Sequence, residues 1–168
     1  MQDFVIPVYQ DRRGERYAWT TLGLGPYSHS ETRRTELQVQ EAMVLALRAV
    51  LRNLKPAQLH WFGPPLDVQL RRLRLELTLH GESGRRQVSG LFPLILEERS
   101  AGGGRVLRRG YHPALPEGWF PLHEDQPLDE QVTLNLQRLL AELDDDDIEA
   151  LKTLSRDSVR PLSFRARC

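Results

Sequence analysis

Leu73, Leu75, Leu77 and Leu79 alternate with Arg72, Arg74, Glu76 and Thr78 in the stretch that ends at His80. Side chains two residues apart share one face of a strand, so this spacing predicts a strand with four leucines on a core and charged groups in water. The turn residues 81–84 follow, then an apolar run from Arg86 to Glu98, the glycines at 102–104, and a third run from Arg105 to His112. Apolar runs joined by short glycine-containing turns mark hairpins, and here they predict a three-stranded antiparallel meander. The middle run, Gln87 to Glu97, is apolar at both parities, which predicts a strand covered on both faces. One cover is a helix. The other is a partner protein or the C-terminal segment of this chain. Gly90 and Pro93 are expected to bend or bulge this strand.

The N-terminal residues 4–9 and 16–22 read as a hairpin around the polar turn Asp11–Glu15, with Pro7 marking an edge or a bulge because it has no N–H to give a ladder. Thr35 followed by Gln38 has capping-box spacing, and good helix formers continue to Leu54 before Pro56 forbids more. Val39, Met43, Ala46, Leu47, Val50 and Leu54 make its apolar stripe. Residues 59–62 read as a short strand stopped by Pro64 and Pro65. A proline-rich loop runs from Ala114 to Pro127, long enough to be functional or to wrap a core. A helix is expected over Leu128–Leu143, and a shorter one over Ile148–Leu154 capped by Asp144–Asp147, since acidic groups are favoured at a helix N-terminus. Alternation over 159–167 predicts a last strand. The sum is an α+β fold: a mainly antiparallel sheet of about six strands, one long helix packed on it, and two shorter C-terminal helices. Residues 1–168 are expected to form a single α+β domain. The abrupt end at Cys168 suggests the N-terminal domain of a longer protein.

Composition narrows the class. Hydrophobic residues are 40% and charged residues 27% of the chain, near globular averages. No window approaches the ~18 consecutive apolar residues of a spanning helix, and the first residues lack a secretory pattern. A cytoplasmic protein without membrane contact is expected. Cys168 is the one cysteine, which excludes an internal disulfide and any multi-cysteine metal site. Charge is uneven: residues 1–110 hold 17 Lys/Arg against 11 Asp/Glu, while residues 111–168 hold 6 against 12. Such asymmetry can mark an interaction surface or can be an ordinary solvated one.

Motifs for chemistry are missing. Gly23 and Gly25 precede Ser28, His29 and Ser30, so neither a dinucleotide fingerprint nor a Walker A lysine follows them. None of the five histidines has H-E-x-x-H spacing, and the four aspartates lack the glycine and distal glutamate of a calcium loop. Glu97 and Glu98 are adjacent on a strand and point to opposite faces, so they give a glycosidase-like dyad no support. No catalytic residue, cofactor or metal is expected. Arginines at 71, 72, 74, 85, 86, 108 and 109 fall on strands expected to be neighbours, and a basic sheet face could follow phosphates, although no aromatics are interleaved for stacking.

Several stretches resemble one known family. Gln10-x-x-x-Gly14, Tyr17-x-Trp19-x-Thr21-Leu22-Gly23-Leu24-Gly25, Leu75-Glu76-Leu77-Thr78-Leu79, Pro93-Leu94-Ile95, Tyr111-His112-Pro113 and Trp119-Phe120 are together similar to the N-terminal domain that precedes the ATPase module in some bacterial Clp-related AAA+ proteins. The resemblance covers most of the chain but consists of strand patterns. It implies a domain that selects substrates or docks an adaptor while hydrolysis occurs downstream. The best-known Clp N-domain is an all-helical repeat, so its fold does not carry over, and no catalytic residues do. The expected function is therefore non-catalytic recruitment of a protein substrate or adaptor, with binding of nucleic acid as the alternative. Expected contacts are Trp61, Phe62, Trp119 and Phe120, rimmed by Arg72, Arg74, Arg86 and Arg108.

Overall fold

The computed structural model describes residues 1–81, 84–100, 103–152 and 158–167, without the side chains of Arg13 and His60. In chain order the elements are β1 (Gln2–Arg13), β2 (Arg16–Thr21), β3 (Ser30–Arg33), α1 (Glu36–Asn53), β4 (Asp67–Gly81), β5 (Gly84–Ser100), β6 (Val106–Tyr111), β7 (Phe120–Pro121), α2 (Leu128–Leu140), α3 (Asp145–Lys152) and β8 (Ser158–Ala166). The fold is α+β as expected, but the strands do not make one six-stranded sheet. They divide into two antiparallel sheets of four, in the orders β3-β2-β1-β8 and β4-β5-β6-β7. The chain correspondingly forms two compact units.

The first unit holds residues 1–68 and β8. Its hairpin closes with Arg13 opposite Arg16, and Gly14 takes a φ of 60° at the first position of the two-residue loop, where only glycine is unstrained. Thr35 caps α1 through its hydroxyl, which accepts the Gln38 N–H at 3.3 Å. The helix buries Val39, Met43, Leu47 and Leu51, a straight row at four-residue spacing, against Phe4, Ile6, Val8, Trp19, Leu162 and Phe164 of the sheet. Phe4 and Phe164 are register partners, and their rings stack at 5.7 Å. Residues expected as a strand, 59–62, instead close a 3-10 helix over Pro56–Phe62. Phe62 then reaches the core edge-on to Phe4, at 6.3 Å.

β1 is an inner strand, contrary to the simple edge reading of Pro7. The proline is tolerated because one flank of β1 ends there. Pairing with β2 runs only from Val8 to Arg13, whereas pairing with β8 begins at Gln2. The Pro7 carbonyl accepts the Leu22 N–H at 2.9 Å, which places the backbone polar groups of Pro7 on the β2 side, just where that ladder runs out.

The second unit, residues 69–152, contains the expected meander as β4, β5 and β6. Leu75, Leu77 and Leu79 are buried with Phe92 and Leu94 of β5 against Val132, Leu136 and Leu140 of α2 and Ile148 of α3. The C-terminal helices of this chain thus cover the face of β5 that carries Phe92 and Leu94. β5 runs without a break through Gly90 and Pro93. The long loop wraps the core: Phe120 is buried, and the Gln131 side chain binds the His123 N–H at 2.8 Å and the His123 and Gln126 carbonyls at 2.9 Å. Asp144 caps α3 by accepting the Asp147 N–H at 2.8 Å. Buried His112 bonds the Leu151 carbonyl through Nε2 at 3.1 Å and accepts the Ala114 N–H at Nδ1, so α3 is tied to the end of β6.

Two close approaches give opposite expectations for substitution. A Cβ at Gly81 would stand 2.3 Å from the backbone carbonyl of Ala141, which cannot swing aside, whereas one at Gly90 would meet the flexible Lys152 side chain at 2.5 Å. Gly81→Ala should lower unfolding stability by about 1–3 kcal/mol, and Gly90→Ala should change it by less than about 0.5 kcal/mol. Urea denaturation of the two variants checks the contrast.

Candidate functional site

Alternation along β5 and β6 puts Glu97, Arg99, Arg109 and Tyr111 on one face of the second sheet, opposite the face that carries Phe92 and Leu94. Glu97 and Arg109 are direct register partners. The Glu97 side chain is fully buried. A carboxylate taken out of water persists only if donors replace its hydration. Here Oε1 pairs with Arg99 Nε, and Oε2 accepts from Arg109 Nε, Arg109 Nη2 and the Tyr111 hydroxyl, each at 3.0 Å. Burial raises the Tyr111 pKa well above its ordinary value, and the Glu97 charge and hydrogen bond add to the rise, while Arg109 and Arg99 oppose it. The phenol therefore stays protonated and donating.

This network fixes the Arg109 guanidinium in place. Its carbon lies 5.8 Å from the centroid of the Tyr111 ring and 5.7 Å from that of Trp119. Trp119 follows the 3-10 turn Pro116–Gly118 and precedes buried Phe120, so its backbone is held while the residue stays 43% exposed. A cation over an indole face is attracted by the ring quadrupole, worth about 0.5–1 kcal/mol at exposed sites. Both Glu97 oxygens are occupied and Tyr111 keeps its proton. Such a cluster is suited to positioning the indole, not to moving protons.

The structure separates the residues expected to form the contact surface. Phe62 and Phe120 are 3% and 4% exposed, in the first and second cores respectively, and are withdrawn as anchors. Trp61 packs partly buried against the first core. Trp119 alone of the four is an exposed side chain. The expected arginine face is not one face either. Arg72 and Arg74 are exposed on the side of β4 away from the core leucines. Arg86 points to the helix side, where it meets Asp145 Oδ1 at 2.8 Å, the Leu143 carbonyl at 2.7 Å and the Ala141 carbonyl at 3.2 Å. Arg108 also lies on that side, paired with Glu98 at 2.7 Å and with Glu124. Arg86 secures the junction of α2 and α3, and neither it nor Arg108 is a rim charge awaiting a partner.

From sequence, Glu97 entered only in a carboxylate pair that was set aside, Arg109 only in the arginine face and Tyr111 only in the family resemblance; that they form one buried cluster with Arg99 was not foreseen. The usable signal was an acid continuing the two-faced apolar run Leu94-Ile95-Leu96. Opposite pointing of Glu97 and Glu98 does hold, since their register partners are Arg109 and Arg108 respectively. No family model matches the chain, and no curated protein or solved structure is significantly similar to it. Among the described residues, no helix is long and apolar enough to cross a membrane, and no three histidine, cysteine or acidic side chains are grouped to hold a metal ion.

The Tyr111 shift has a consequence for alkaline stability. Between the usual phenol value of about 10 and the higher folded value, the unfolded chain has lost a proton that the folded chain retains. Stability present below pH ~10 should therefore fall as pH rises through that window. Tyr111→Phe should flatten this fall and cost about 1–3 kcal/mol at neutral pH, because one donor to a buried carboxylate is lost. Denaturation curves at pH 8 to 11 measure both effects.

Proposed function

We propose that this chain is a non-catalytic recruitment module that binds a protein substrate or adaptor through a surface centred on Trp119. The observation that carries the reading is the half-exposed indole of Trp119 resting on an arginine locked by a buried carboxylate. Large aromatics held rigid before binding lose little entropy on complex formation, and tryptophan is enriched among residues that dominate interface energy. Exposed Arg72 and Arg74 supply charge that steers an encounter without setting its strength. In the family that the sequence resembles, such a module serves a AAA+ ATPase of the Clp-related kind, and we assign this chain the same place, selecting what the ATPase unfolds. The nucleic-acid alternative loses ground because the arginines it relied on point to two faces and several are already paired with carboxylates.

Fluorescence anisotropy with labelled casein, a permanently unfolded protein, tests the reading. The wild-type chain should bind it, and Trp119→Ala should weaken binding at least about tenfold, or ~1.4 kcal/mol, while Trp61→Ala leaves it within a factor of about two. Equal affinity for wild type and Trp119→Ala overturns the surface. Binding to poly-dT that collapses with added salt, with no binding of casein, replaces recruitment by nucleic-acid binding.

A further inference from the structure

Among the described residues, β1 has a strand neighbour on both sides only from Val8 to Gln10. From Gln2 to Pro7 its one strand neighbour among the described residues is β8. Backbone polar groups alternate sides along a strand, and those of Pro7 face the β2 side, where its carbonyl meets the Leu22 N–H. Asp3 and Val5 share the parity of Pro7, so their N–H and C=O groups point to the same side, beyond the end of β2. The Val5 side chain is 48% exposed. A groove of about 250 Å³ lies at this flank, walled by Phe4, Val5, Leu59, Phe62 and Pro64.

We infer that the open flank of β1 at Asp3–Val5 binds an extended, apolar peptide segment by strand addition. The added segment exchanges backbone hydrogen bonds with Asp3 and Val5, and each second side chain enters the groove beside Leu59 and Phe62. The chemistry selects this occupant. A helix spends its backbone donors internally and cannot satisfy a strand flank. Size argues against a second folded copy as the occupant. The flank from Gln2 to Ile6 spans on the order of 16 Å at ~3.3 Å per residue, and pairing over that length falls well short of the ~1,200 Å² that stable interfaces bury. The inference rests on the recruitment reading for the kind of partner, an unfolded protein segment, and is independent of Trp119 as a contact.

The test uses the whole chain and a fluorescein-labelled peptide of about seven alternating valines and threonines, followed by anisotropy. Val5→Pro removes the one N–H aimed at the flank from that position and leaves the β8 ladder its donors, as Pro7 already does two residues later. An unchanged thermal midpoint verifies its fold. Wild type should bind the peptide, and Val5→Pro should weaken it at least tenfold. Amide chemical shifts of the wild-type protein supply a readout that needs no variant: peptide should move the amides of residues 2–6 and 59–63. Equal affinity in a folded Val5→Pro, or shifts confined to other residues, overturns the inference. So does concentration-dependent dimerisation of wild type that Val5→Pro abolishes, because the occupant is then a second copy. Peptide binding that survives Trp119→Ala but not Val5→Pro supports the strand site even if the Trp119 surface fails with casein. Casein binding lost in Trp119→Ala together with peptide affinity unchanged by Val5→Pro removes the strand site alone.

Discussion

Glu97 brings a charge into the interior of the second sheet, and a buried charge without donors costs several kcal/mol. Four donor contacts from Arg99, Arg109 and Tyr111 meet that demand, and all come from β5 and β6 in a single register. Sliding β6 by one residue would turn Arg109 and Tyr111 to the opposite face and strand the carboxylate. Apolar pairs tolerate small slips better, because leucine contacts are not directional. The network therefore fixes the alignment of the two strands more sharply than the leucines do. Arg109, once held, sets where the indole of Trp119 rests. Replacing the ionic group by apolar residues of similar volume could leave the sheet as stable, but the indole would lose its cationic floor.

The local elements were legible because local chemistry specifies them. Thr35 caps α1 as its spacing with Gln38 indicated, and Asp144 caps α3 as the aspartate run indicated. The leucines of β4 turn inward with period two. What alternation cannot give is the identity of a strand's neighbour. β8 pairs with β1 across most of the chain length, and nothing local to Val159–Arg167 names that partner. Counting strands without their partners merged two sheets into one. β3 and β7 have four and two residues, too few for a period to register.

The arginine face failed for a related reason. Parity along β4 was readable from its leucines and placed Arg72 and Arg74 outward. Parity along β5 was obscured in its apolar stretch, where both faces are buried from Phe92 to Ile95. Arg86 and Arg108 were therefore grouped by neighbouring strands rather than by face. The partners of Arg86 lie at the junction of α2 and α3, more than fifty residues away, and Arg108 pairs with Glu98 on the neighbouring strand and with Glu124 in the loop after β7. The sites of aromatic burial depended on the same tertiary pairings: Trp119 and Phe120 are adjacent, yet one is exposed and the other is core.

Sheet edges invite pairing with other chains, and natural sheets blunt them with short strands, charge or proline. Each outer edge of this protein shows such a device. β3 and β7 are short. β4 carries Arg71, Arg72 and Arg74, and β8 carries Arg160 and Pro161. The half-flank of β1 differs, since its centre is Val5, an exposed apolar β-branched residue with strong strand preference. Pro7 closes one end, and Asp3, paired with Arg165, marks the other. A flank bracketed in this way is too short to template aggregation, yet it is long enough to accept a peptide strand. The exposed, β-branched Val5 at the centre of so short a span makes this stretch informative: a transient strand partner is the physical reading that its geometry favours.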